Sequence, residues 1–233
     1  MKKILSLMLV PLFFSAQAHA MSEDDPLLTM VNIEKLEVQD ADEHDPVVLD
    51  AYGWIGKDLN KLWIKTEVER VQGETEEAEL QLLYSRAIYA FWDVQLGWRR
   101  DIKPKPERDW LAIGLQGLAP YYFETDLALF IGEDSRWALR LDAEYEYMFT
   151  QRLVLSPEIE LNAYGKDDIE TGTGKGLANM SAGLRLRYEI RREFAPYIGI
   201  NWSKQFGDTA DYTEAAGEES SDTRLVVGIR AWF

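Results

Sequence analysis

Along most of the chain, apolar and polar residues alternate with a period of two, in runs of about ten separated by short turn segments, as in half-buried β-strands. From Arg136 to Met148 the two faces separate. Trp137, Leu139, Leu141, Ala143, Tyr145 and Tyr147 lie on one side; Arg136, Arg140, Asp142, Glu144 and Glu146 lie on the other. The split recurs over 152–164, where Leu153, Leu155, Ile159 and Leu161 oppose Glu158, Glu160 and Asn162. It returns over 177–190, where Met180, Leu184, Leu186, Tyr188 and Ile190 oppose Arg185, Arg187 and Glu189. One face is oily and the other ionic. A soluble sandwich meets that condition by joining two oily faces; an outer-membrane barrel meets it by turning the oily face to lipid and the ionic face to the lumen.

Strand length and aromatic placement select the barrel. The runs are roughly 10 to 13 residues long, against about five or six in sandwiches and about 9 to 11 for a tilted membrane strand. Aromatic residues gather near the run ends, among them Tyr89, Phe91, Trp92, Tyr121, Tyr122, Tyr197 and Trp202, as an interfacial girdle requires. Leu225, Val227, Ile229, Ala231 and Phe233 share one face of a last strand whose terminal Phe resembles the signal read by the barrel-assembly machinery.

The expected fold is therefore all-β, a transmembrane barrel of about 10 antiparallel strands with 12 as the alternative. The strands are read at 61–71, 77–89, 92–102, 109–118, 122–131, 136–148, 152–164, 177–190, 195–206 and 222–233. The barrel domain is drawn at 49–233, with 49–60 as a pre-barrel segment in which Leu49–Gly56 is periplasmic or plugging. Turns at 149–151 and 191–194 fall on the periplasmic side, and the longer stretches 165–176 and 207–221 fall outside.

Ahead of the barrel, Lys2 and Lys3, the apolar run Ile4–Phe14 and the small-x-small sequence Ala18-His19-Ala20 read as a signal peptide over 1–20. The apolar run is about eleven residues, well short of the roughly 20 a membrane helix needs. Residues 21–48, rich in Asp and Glu, are read as an acidic, partly disordered periplasmic arm.

Composition narrows the chemistry. The 233 residues carry 41 Asp and Glu against 25 Lys and Arg, a net charge of −16, which argues against nucleic acid as a partner. With no Cys, disulfides, thiolate metal sites and thiol catalysis are excluded. Beyond the signal peptide the one histidine is His44, outside every expected strand, so a Ser–His site inside the barrel is excluded and no enzymatic activity is expected. Gly172-Thr173-Gly174-Lys175-Gly176 lacks the Gly-Lys-Ser/Thr ending and following helix of a phosphate loop and reads as a hairpin loop.

On the inward face acids outnumber bases. These charges either pair across strands and fill a narrow barrel, or form a conduit that attracts cations. Glu144/Glu146 and Glu158/Glu160, at i and i+2, offer oxygen ligands on one strand face each, with Met148 continuing the first. Met21, Met30 and His44 supply softer donors in the arm. These eight residues are the candidate metal ligands.

Several segments carry a family resemblance: Trp54-Ile55-Gly56-Lys57-Asp58 with Leu62-Trp63-Ile64-Lys65-Thr66-Glu67, Leu83-Tyr84-Ser85-Arg86-Ala87-Ile88, Gly114-Leu115-Gln116-Gly117-Leu118-Ala119-Pro120-Tyr121, the stretch 183–197, and Gly228-Ile229-Arg230-Ala231-Trp232-Phe233. From about Gly53 onward the chain resembles the copper resistance protein B family, outer-membrane members of copper-resistance systems in Gram-negative bacteria. The resemblance implies outer-membrane localisation and copper binding, with copper ions handled at or across the membrane without catalysis. The implied partners are copper ions, outer-membrane lipid and periplasmic copper-resistance proteins. The alternative is a narrow structural or cation-selective barrel without specific copper binding. Members of the family carry a Met- and His-rich segment before the barrel, whereas 21–49 here is acidic and holds two Met and one His.

Overall fold

The computed structural model describes residues 25–41 and 44–233; residues 1–20, read from sequence as a signal peptide, and Met21 lie outside the described residues. The strands are β1 (Leu28–Asp40), β2 (Val47–Gly56), β3 (Asn60–Val71), β4 (Glu74–Tyr89), β5 (Trp92–Lys103), β6 (Arg108–Ala119) and β7 (Phe123–Gly132). They continue with β8 (Trp137–Glu144), β9 (Tyr147–Met148), β10 (Leu153–Tyr164), β11 (Gly176–Tyr188), β12 (Phe194–Gln205) and β13 (Ser221–Trp232). A helix, α1 (Gly207–Ala216), stands between β12 and β13.

Consecutive strands pair antiparallel, and β13 pairs with β1, so the sheet closes on itself. Both β8 and β9 pair with β10 and form one pass; the barrel has twelve passes. The interruption has a local cause. Tyr145 N–H donates to the Pro157 carbonyl at 3.0 Å, but Pro157 has no N–H to return the second bond of the pair.

Twelve passes is the alternative count, and the two added strands lie in and beside the stretch read as an arm. Here the sequence expectation is corrected: residues 28–40 are not a disordered arm but β1, and the segment 49–56 is not a plug but most of β2. The cause is a β-bulge in β1 between Ile33 and Lys35. On one side of it Val31 faces outward beside the buried Asn32; on the other Leu36 and Val38 face outward beside the buried Glu37 and Gln39. The extra residue reverses the parity of the alternation, so no single period of two runs through the strand.

Outward residues form a continuous apolar band. Leu62 faces Tyr84, Tyr84 faces Leu96 and Leu96 faces Ile113 across β3 to β6, and all four are well exposed. In water such a surface would be costly at about 25 cal/mol per Å²; in a bilayer it is the solvated surface. Their strand neighbours Gln81, Ser85, Gln95 and Arg99 are buried, so this protein is polar inside and oily outside. It is an outer-membrane barrel.

With the start of β1 and the end of β13 at one rim, the connections there are short: 57–59, 90–91, 120–122, 149–152 and 189–193. The opposite rim carries the longer 165–175 and 206–220, which identifies it as the outer one. Other connections at that rim, 104–107 and 133–136, are short, and the tightest is Gln72-Gly73, whose φ angles of 54° and 86° give the double left-handed turn that suits a two-residue hairpin.

Candidate functional site

The lumen is the candidate site, and register determines its charge pattern. Residues directly opposite in a sheet share a face. Glu124 on β7 faces Glu144 on β8, which faces Glu158 on β10; one step outward, Asp126 faces Asp142, which faces Glu160. Two transverse rows of three carboxylates result. Directly opposed like charges repel, so the rows need cations from elsewhere.

Those cations come from other strands, some across the lumen and some on the neighbouring β11. Lys65 of β3 reaches Asp126 at 2.6 Å, and Lys35 of β1 reaches Glu158 at 2.9 Å. Arg185 of β11 also bonds Glu158. Arg230 of β13 lies 3.1 Å from Glu146 and 3.7 Å from Glu144, and Arg187 shares Glu146. Nearer the outer rim, Arg140 and Arg99 both bond Glu79, each at 2.9 Å. Such charges, largely out of bulk water, hold their place through pairing. Paired charges filling a narrow barrel is thus the arrangement found in the lumen.

The structure brings some of the candidate ligands together and separates the others. Glu144, Glu146 and Glu158 stand close on β8 to β10, but Glu146 and Glu158 already accept from Arg or Lys and Glu144 lies 3.7 Å from Arg230. Glu160 lies 3.8 Å from Arg140. Met148, opposite Val154 at the periplasmic rim, is 65% exposed. Met30 lies opposite Trp54 near that same rim, whereas His44 lies beside the outer cavity, in the loop after β1. At about 3.3 Å per residue along a strand, Met30 and His44 are roughly 30 Å or more apart. Among the described residues no group of three or more His, Asp or Glu is arranged to hold a metal ion.

Sequence reasoning missed Glu37, Lys35 and Asp50 because they belong to β1 and β2. It missed Glu79 because β4 has an irregular register against β5 between Ala78 and Glu79. Glu37, Asp50 and Glu79 each sit between two apolar residues, a signal that survives a parity change even where strict alternation does not.

Comparison with known proteins gives a consistent picture. The family described as Copper resistance protein B precursor (CopB) matches residues 27–233. Copper resistance protein B of Escherichia coli is 42% identical over 221 residues, covering 95% of this chain and 74% of its own length. A Copper resistance protein B homolog of Pseudomonas syringae pv. tomato is 46% identical over 200 residues, covering 86% and 68%. Among solved structures, the NanC porin superposes with a TM-score of 0.58 at 13% identity, covering 88% of this chain and 99% of the porin. The KdgM porin gives 0.53, also at 13% identity and with the same coverage. At that identity the porins report on the fold alone.

Proposed function

Since the chain belongs to the copper resistance protein B family, we propose that its barrel handles copper ions, as cargo, at or across the outer membrane. The observation that carries the reading is the extent of the family match, 27–233, which takes in every pass of the barrel. The lumen suits a cation. Its carboxylate rows attract positive charge, and its low-dielectric wall concentrates that attraction. The protein's own part is to draw the ion in and hand it between carboxylates already balanced by Lys and Arg; no bond-making step is assigned to any residue. The candidate ligands within the lumen are Glu144, Glu146, Glu158 and Glu160, with Met148 at the periplasmic rim; Met30 and His44 would serve the two ends.

A second reading, a cation-selective barrel without specific copper binding, is favoured by the pairing of these carboxylates with Lys35, Arg185, Arg187 and Arg230. Titration calorimetry of the folded chain in detergent, with Cu(I), Cu(II) and calcium in separate runs, distinguishes the two. Copper binding tighter than calcium by at least tenfold is the expected outcome. Equal, weak binding of all three would discard specific copper handling and leave the second reading.

A further inference from the structure

Two cavities occupy the lumen and meet partway along it. An inner cavity of about 440 Å³ is lined by residues such as Asp50, Glu124, Glu144 and Arg230, and an outer one of about 850 Å³ by Glu69, Lys103, Arg136 and Glu218. Four residues line both: Glu67, Glu79, Arg140 and Glu160. The boundary therefore runs through these side chains, and three of the four are carboxylates.

Arg140 is the group that joins them. Rooted on β8, it crosses in front of three intervening strands to Glu79 on β4, donating from Nη2 at 2.9 Å and Nη1 at 3.3 Å. Its Nε donates to the Asn162 side-chain oxygen at 3.1 Å. Glu67 and Glu160 lie 3.7 and 3.8 Å from the guanidinium. Beneath it, the buried ring of Phe130 sits 5.8 Å from Arg140 and 4.3 Å from Arg99, which shares Glu79. A planar guanidinium fork with two carboxylate bonds and an aromatic floor is a preorganised arrangement, here placed where the two cavities meet.

We propose that Arg140 is a tethered cationic bolt that closes the lumen at this boundary and sets both its conductance and its charge preference. The guanidinium occupies the place among Glu67, Glu79 and Glu160 that a cation moving between the cavities must take. While it stays, a free cation meets both a steric block and like charge. When it swings aside on its flexible stem, the same three carboxylates face the opening and favour cations over anions. Loss of the Arg140 charge therefore acts on width and selectivity in the same direction. An ion pair serving stability alone has no such signature. The proposal concerns any small cation and stands whether or not the barrel binds copper specifically.

Planar-bilayer recordings in KCl test it, with Arg140→Gln compared with the unmodified protein. Arg152→Gln, the same charge change in an exposed periplasmic turn, is the control. Arg140→Gln is expected to raise single-channel conductance several-fold and to shift the reversal potential toward potassium in a salt gradient, with Arg152→Gln unchanged. A double variant, Arg140→Gln with Glu79→Gln, keeps the lumen charge balance and should also open the pathway, with a smaller gain in selectivity. Folded variants with the parent's conductance and selectivity would overturn the proposal. Failure of both variants to fold would assign the boundary a structural role and overturn it equally.

Discussion

Glu37 and Arg185 are 148 residues apart in sequence and form a two-bond pair inside the barrel, Nη2 to Oε1 at 2.9 Å and Nε to Oε2 at 3.0 Å. The Glu37 side chain has no solvent exposure, and its oxygens also accept from Tyr197 and Gln39, each at 2.9 Å. The pair ties β1 to β11 across β12 and β13, bracing the seam where the first and last strands close the barrel.

Removing one partner should therefore be costly. Glu37→Ala removes the two-bond partner of a buried guanidinium, leaves it Glu158 alone, and is expected to lower stability by about 3–5 kcal/mol. Replacing both partners, Glu37→Leu with Arg185→Met, should recover most of that loss, because no orphaned charge remains. Urea unfolding of the protein refolded into lipid vesicles measures both; equal losses for the single and the double change would contradict this account.

The same seam depends on one glycine. A Cβ built on Gly228 would sit 2.6 Å from the Tyr197 hydroxyl and ring and 2.8 Å from Glu37 Cβ. Gly228→Ala must push Tyr197 off its bond to Glu37, and a loss of about 1–3 kcal/mol follows from the overpacking. If unfolding midpoints with and without the added methyl coincide, the ring has room that the structure denies it.

Conduction should follow the carboxylate rows. Changing Glu144, Glu146, Glu158 and Glu160 together to Gln leaves Lys35, Arg185, Arg187 and Arg230 in excess, so the cation preference should weaken or reverse. Glu218 and Glu219 line the outer cavity near its mouth, where water and salt screen them, and neutralising that pair should change selectivity much less. Reversal potentials in a KCl gradient make the comparison; equal effects from the two sets would put the selecting charges at the mouth.

At the outer rim, loop 165–175 is held by Asp168, which accepts from Arg108 at 2.9 and 3.0 Å and lies 3.5 Å from Arg136. Gly174 N–H also donates to the buried hydroxyl of Thr209 on α1, at 2.8 Å. Arg108→Gln should speed amide hydrogen exchange across 165–175 while moving global stability by no more than about 0.5 kcal/mol. Exchange rates that stay at the parent's values would show that the Thr209 contact holds the loop by itself.

What the sequence by itself determined is the inside and outside of each strand where alternation is unbroken, and with it the barrel and its membrane. On β8, β10 and β11 the oily and ionic faces can be read residue by residue, because side-chain direction in a strand depends only on the local backbone. Tertiary structure decided the rest. The bulge after Ile33 reverses parity, so β1 became legible as a strand only through its pairing with β2 and β13. The partners of Glu37, Glu79 and Glu158 depend on which strands face one another across the lumen, and closure of the sheet settles that. Extension along β1 carries Met30 and His44, near neighbours in sequence, to opposite ends of the barrel. The crossing of Arg140 to Glu79 is likewise absent from any local pattern, because it passes three intervening strands and exists only once the sheet has curled far enough for a side chain to reach across.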